Sequence, residues 1–189
     1  IPDDAAHREA ARIINNAVRE RTGIELPVVP DTKYNSMRKL AVNLILPGHF
    51  GSNQAIAQLY RMHYTLLDAR YPGRNGHVVR SLHNPFGDGF NVLFAGAGDD
   101  AGLKRAAEQL AQRILAQPSG ASLRLGRLAD IRLGDGLTPP ENATKKTPLW
   151  ETSVQYLDSG FFGHNIVSKN MMLYYMTGDE KYAVSYTHL

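Results

Sequence analysis

Apolar positions along the chain fall into stretches of helical spacing alternating with blocks of strand length, and this alternation outlines the fold. Ala6, Ala10, Ile13, Ile14, Ala17 and Val18 share one face of a helix of about 18 residues, with Arg8, Arg12, Arg19 and Glu20 opposite. Asp3 or Asp4 caps its start, and Thr22-Gly23 stops it. Residues 24–29 follow as a strand or extended connection. The block Leu40-Ala41-Val42-Asn43-Leu44-Ile45-Leu46 is too short for a buried helix and is closed by Pro47-Gly48, which predicts a central strand. Ile56, Leu59, Tyr60, His63 and Leu67 carry a helical period over residues 53–68, before the turn chemistry of Tyr71-Pro72-Gly73-Arg74-Asn75-Gly76. Residues 77–82 and 91–95 then suit an antiparallel hairpin with a longer loop. Ala101, Leu103, Ala106, Ala107, Leu110 and Ile114 place another helix over 99–116, capped by Asp99 or Asp100.

Gln117-Pro118-Ser119-Gly120 interrupts this order, and residues 134–148, with Pro139-Pro140 and Lys145-Lys146, read as a linker or bridging segment. A further helix is predicted over 164–176. Thr177-Gly178-Asp179-Glu180 reads as a capping box that opens a new helix at Lys181. The expected class is α/β of the α+β type: a small, mainly antiparallel sheet with helices packed on one face over residues 1–117. A bridge over 118–149 and the first helices of a truncated all-α domain over 150–183 would follow.

Composition narrows the class. With 43% hydrophobic and 21% charged residues among 189, and no cysteine, collagen-like, disordered and disulfide-stapled architectures are excluded. Thiolate metal sites are excluded by the same absence. The 21 Lys and Arg against 18 Asp and Glu give a formal +3, and the longest basic runs are pairs such as Arg38-Lys39. A nucleic-acid groove needs a concentrated basic stripe with interleaved aromatics, so no nucleic-acid partner is expected. No apolar run approaches the roughly 20 residues of a membrane span.

Gly96-Ala97-Gly98-Asp99-Asp100-Ala101-Gly102 lies between a strand and a helix, in the position of a dinucleotide fingerprint. Its last two glycines are separated by three residues instead of two, and Asp99 and Asp100 would repel an anion at the helix start. A structural turn is favoured over a nucleotide-binding α/β domain. The seven histidines show no metal-ligand spacing, so neither a metal nor a cofactor is expected. His63 reads as a packing histidine on the apolar side of its helix. No G-x-S-x-G nucleophile elbow is present. Trp150, Tyr156, Phe161 and Phe162 form an aromatic-rich stretch followed by His164-Asn165 at a helix start. Such rings stack on sugars or pack between domains.

The order Ile1-Pro2-Asp3-Asp4-Ala5, a helix, Arg21-Thr22-Gly23-Ile24-Glu25-Leu26-Pro27-Val28-Val29, the strand Asn43-Leu44-Ile45-Leu46, Tyr71-Pro72-Gly73 and Asn91-Val92-Leu93-Phe94-Ala95-Gly96-Ala97-Gly98-Asp99-Asp100-Ala101-Gly102 resembles the non-catalytic α/β domain 2 of β-hexosaminidases and α-glucuronidases. The resemblance covers residues 1–117. It implies an accessory role, and a first strand before Ile1 that this chain lacks. Asn170-Met171-Met172-Leu173-Tyr174-Tyr175-Met176-Thr177-Gly178-Asp179-Glu180-Lys181-Tyr182 resembles the inter-helix turn of (α/α)-toroid enzymes, including heparinase-type polysaccharide lyases and six-hairpin glycosidases. Val184-Ser185-Tyr186-Thr187-His188-Leu189 resembles a translated adapter read-through of environmental sequence, with native sequence ending near Ala183.

Together these resemblances imply part of an extracellular or periplasmic glycoside hydrolase or polysaccharide lyase, inactive alone, whose partner is a polysaccharide or oligosaccharide. The alternative is a structural or carbohydrate-binding module without catalysis. Trp150, Tyr156, His164 and Asn165 are the candidate substrate contacts, and no catalytic acid or base is assigned.

Overall fold

A computed structural model gives the fold, and residues 1–120, 122–156 and 166–183 are described. In chain order the elements are α1 (Ala5–Thr22), β1 (Leu44–Gly48), α2 (Gln54–Arg61), β2 (His77–Leu82), β3 (Val92–Gly96), α3 (Asp100–Leu115), β4 (Ala129–Arg132), α4 (Pro148–Tyr156) and α5 (Ile166–Thr177). The strands form one mixed sheet in the order β1-β3-β2-β4. β1 runs parallel to β3, and β2 runs antiparallel to both β3 and β4.

The caps follow the sequence. Asp4 accepts from His7 N at the start of α1, Gly23 ends that helix at φ 72°, and Asp99 accepts from Gly102 N at the start of α3. Residues 24–29 are extended but make no strand. Asn15 instead holds Leu26 by both its amide and its carbonyl, at 2.7 and 2.9 Å, in the manner of a strand neighbour.

Three expectations are corrected. The block at 40–46 forms its strand later, at Leu44–Gly48, and lies at the edge of the sheet. An edge accommodates Pro47, which has no amide proton to give to a second neighbour. The helix predicted to Asp68 stops at Arg61, because His63 adopts φ 67° and Tyr64 N closes back on Leu59 O at 2.9 Å. His63 is thus exposed beyond the helix end instead of packed on its apolar face.

The third correction concerns layering, since helices cover both faces of the sheet. Ile45, Val79, Leu93 and Ala95 turn toward α1 and α3, where they meet Ile14, Val18, Leu103, Leu110 and Ile114. Leu44, Leu46, Val78, Val92 and Phe94 turn the other way, toward Ile56 and Leu59 of α2, Leu149 of α4, and Leu173 and Met176 of α5. Strands apolar at consecutive positions must be covered twice. Residues 129–132, within the expected bridge, supply the fourth strand, and the described C-terminal helices share the second-face core. The turn after α5 is capped by Asp179, whose carboxylate accepts from Lys181 N at 3.0 Å, whereas the Thr177 hydroxyl turns back to Leu173 O.

Gly102 shows how tightly α3 seats. A Cβ there would stand 2.3 Å from the Gly76 carbonyl oxygen. Gly→Ala in a helix interior ordinarily stabilises by about 1 kcal/mol, but a backbone clash of this kind costs about 1–3 kcal/mol. Gly102→Ala is therefore expected to lower the denaturation midpoint; a raised midpoint would refute the packing. Leu173→Ala should cost about 2–5 kcal/mol and shift one cooperative transition monitored at both ends of the chain. A separate transition for the C-terminal helices would contradict the shared core.

Candidate functional site

A cleft of about 1420 Å³ opens between the second face of the sheet, the segment after α2, and α5. β2 contributes Arg80 and Leu82, whose parity with Val78 points them into this layer. α5 contributes Met171, Tyr174 and Tyr175, and residues 64–68 form the opposite wall. The left-handed residue His63 ends α2 and redirects the chain, so that Tyr64 and Leu66 line the cleft while Leu67 returns to the core.

Aromatic rings are fixed around the cleft. Phe50 and Tyr60 lie with ring centroids 4.8 Å apart, and Tyr64 packs edge-on to Phe86 at 5.9 Å while its hydroxyl donates to Pro85 O at 2.8 Å. Below them Tyr71, fully buried, donates to Met176 O at 3.0 Å and ties the turn at 71 to α5. Burial pushes the Tyr71 phenol far up, so it stays a donor.

Asp68 organises the wall. Its Oδ1 accepts from Arg70 N and Tyr71 N at 2.7 and 2.9 Å, and its Oδ2 accepts from the Tyr60 hydroxyl at 3.0 Å. Burial, and then the Asp68 charge, push the Tyr60 phenol up to about 12. His49, near the same wall, is held below the ordinary histidine range chiefly by burial, against the pull of Asp68.

Charge is lopsided here. Arg61, Arg70, Arg80 and Arg127 line the cleft, against the one carboxylate of Asp68 among the described lining residues. The Arg80 guanidinium lies 3.7 Å from the Tyr175 ring centroid and donates Nη2 to Tyr175 O. Its Nη1 is buried without a hydrogen-bond partner among the described residues. Arg70 reaches Gln155 of α4. The arrangement gathers tyrosine rings and guanidinium groups in one cleft, a combination that can meet flat faces and anionic or hydroxyl oxygens.

The residues singled out from the sequence are differently placed. Trp150 is outside the lining of the cleft; its indole donates to Ala143 O at 2.6 Å, and Lys169 lies 4.7 Å from its ring. Tyr156 ends α4, and His164 and Asn165 lie outside the described residues. Phe161, Phe162 and the tail at 184–189 also lie outside them. Arg80, Tyr60 and Tyr175 were not anticipated, although one signal existed: in Val78-Val79-Arg80-Ser81-Leu82 a charge occupies the parity of two core residues.

The glycine-rich turn is structural in its contacts. Asp99 accepts from Gly102 N at 2.7 Å and from Asn75 N at 2.9 Å, so its carboxylate occupies the start of α3. Among the described residues no group of three or more His, Asp or Glu could hold a metal ion, and no helix is long and apolar enough to cross a membrane. Comparison with protein families, with curated proteins and with solved structures gives no match.

The Tyr60 pKa generates a pH prediction. A phenol raised from 10 to about 12 keeps its proton in the folded state where the unfolded state loses it. Its stabilising contribution is therefore full below pH 10 and declines as pH rises through that interval. Asp68→Asn removes the charge but leaves the burial. It should bring the Tyr60 titration, followed by phenolate absorbance, part of the way back toward 10. An unchanged titration would show that Asp68 does not act on Tyr60.

Proposed function

We propose that this chain is part of a carbohydrate-active enzyme, a glycoside hydrolase or polysaccharide lyase, in which it supplies an accessory α/β unit and the beginning of the catalytic region. The chain on its own performs no turnover, and its ligand is an oligosaccharide or polysaccharide. An extracellular or periplasmic setting follows from a polymeric substrate. The carrying observation is the cleft, where Tyr60, Tyr64, Tyr174 and Tyr175 stand among four arginines. Aromatic faces suit the apolar faces of pyranose rings, and guanidinium forks suit carboxylate, sulfate and hydroxyl oxygens. At about 1420 Å³ the space exceeds the roughly 300–1,000 Å³ of most small-molecule pockets and suits several linked residues. Tyr156, His164 and Asn165 are further candidate contacts in this reading, with Trp150 placed second to the cleft residues.

The second reading, a structural module that buttresses a neighbour, is favoured by the unbroken core from Phe94 to Leu173 and Met176. A nucleotide reading loses support from the Asp99 carboxylate at the start of α3.

Calorimetric titration of the chain with uronate-containing and neutral oligosaccharides of equal length separates these readings. The acidic series should bind, and Arg80→Gln should weaken it about tenfold, the scale of one lost charge-assisted contact. Absence of binding by either series would leave the structural module as the better account.

A further inference from the structure

We infer that Asn75-Gly76 is a site of self-modification that the fold holds closed: the asparagine converts to aspartate or isoaspartate when its turn opens and is protected while the turn stays shut. The site lies apart from the cleft and does not depend on the carbohydrate reading. An Asn-Gly pair carries this chemistry in itself, because glycine has no side chain to shield its backbone nitrogen or restrict its rotation. The Gly76 nitrogen loses its proton to solvent base and bonds to Asn75 Cγ; the Cγ–Nδ2 bond breaks, and Nδ2 takes up a proton and leaves as ammonia. Water then opens the five-membered imide at either carbonyl. Water is the one co-reactant needed.

The groups that the reaction must move are tied down. Asn75 Nδ2 donates to Asp135 Oδ2 at 2.6 Å, its Oδ1 accepts from Arg105 Nη2 at 2.8 Å, and its backbone N donates to Asp99 Oδ2 at 2.9 Å. The attacking amide, Gly76 N, donates instead to Gly73 O at 3.1 Å. Asn75 stands at φ 60°, a left-handed conformation that asparagine tolerates in turns. Ring closure requires Gly76 N to swing onto Cγ by rotation about the Asn75 Cα–C bond, and the packing opposes that swing. Gly76 is buried, and the space beside its Cα is already filled: a Cβ there would stand 2.5 Å from Pro72 O and 2.6 Å from Gly134 N.

Three parts of the chain make the clamp. Asp99 caps α3 and holds Asn75 with the same carboxylate, and Arg105 reaches the turn from further along α3. The returning segment adds Gly134 N to Pro72 O and Asp135 N to Arg74 O, both at 2.8 Å. Opening therefore means that the turn leaves the start of α3 and residues 134–135 together. Closing again after reaction is opposed. An aspartate sets a carboxylate oxygen where Nδ2 now lies, 2.6 Å from Asp135 Oδ2, and like charges at that distance repel. An isoaspartate lengthens the backbone beside buried Gly76. Each opening that reacts is thus recorded in the chain, and the site marks molecules whose structure has come apart locally.

The full chain is incubated at mildly alkaline pH, folded or in urea, and the conversion at Asn75 is followed by peptide mapping and mass spectrometry. The folded chain should react at least about tenfold more slowly than the unfolded one, because only the open fraction reacts. Asp135→Ala frees Nδ2 and should speed the folded reaction about tenfold, the scale of one lost charge-assisted hydrogen bond, with the rate in urea unchanged. Asn75→Asp, which stands for the product, should show a lowered denaturation midpoint. Equal rates in folded and unfolded wild type, no conversion in urea, an Asp135→Ala rate equal to that of wild type, or an unchanged midpoint for Asn75→Asp would overturn the inference. If Asp135→Ala does not fold, the two wild-type rates decide alone.

Discussion

Strand β3 is apolar on both sides, and that constraint governs the rest of the molecule. Val92 and Phe94 point to one layer, Leu93 and Ala95 to the other. Each large side chain buried contributes about 1.5–3 kcal/mol, so neither face can be left to water. α1 and α3 cover the first face. The second is longer and needs α2, the segment around Leu67 and Tyr71, and then Leu149, Leu173 and Met176 from the C-terminal helices. The order of the sheet makes this possible, because β3 lies between β1 and β2 and so is flanked by strands throughout its length. Small residues set the spacing: a Cβ on Gly96 would meet Leu67 at 2.4 Å, so the glycine lets the wall of the cleft close on the sheet.

Several acidic side chains are spent on the backbone. Asp4 and Asp99 cap helices, Asp68 takes two amides of its own turn and a phenol, Asp88 takes Leu40 N, and Asp179 takes Lys181 N. Each satisfies amide protons that a helix start or a tight turn would otherwise leave unpaired. In the cleft the arginines meet rings and neutral oxygens instead of carboxylates: Arg80 meets Tyr175, Arg70 meets Gln155, and Arg61 meets the Phe50 ring. A modest formal charge of +3 is therefore compatible with a strongly cationic local surface. Composition averages over this division of labour and conceals it.

The same division explains what could be read from the letters. Helical period and caps marked α1 and α3 closely, because both are decided within a few residues by Asp4, Gly23 and Asp99. The hairpin strands at 77–82 and 92–96 were visible for the same reason. The failure at α2 was also local, but it turned on a histidine taking a left-handed conformation usually given to glycine, for which the sequence carries no plain mark. β4 was invisible since its burial is partial and its partner lies far back in the chain. Two-sided burial was written in the run at 44–46 and in 92–95, but only the pairing of strands shows which layer each side chain faces. The candidate site suffered most, because Tyr60, Arg80 and Tyr175 come from three segments whose meeting depends on that layering.

Arg80 follows from these constraints. It stands on the strand parity of Val78 and Leu82, in the layer that α5 also packs against through Leu173 and Met176. A guanidinium cannot be buried so cheaply, since its charge must keep partners or water. The protein gives it one carbonyl and one ring face, both from Tyr175, and leaves Nη1 without a partner among the described residues. A single charged residue on the parity of core positions thus interrupts the apolar layer beside Tyr175. The cleft is in this sense a product of the sheet's own alternation, interrupted once.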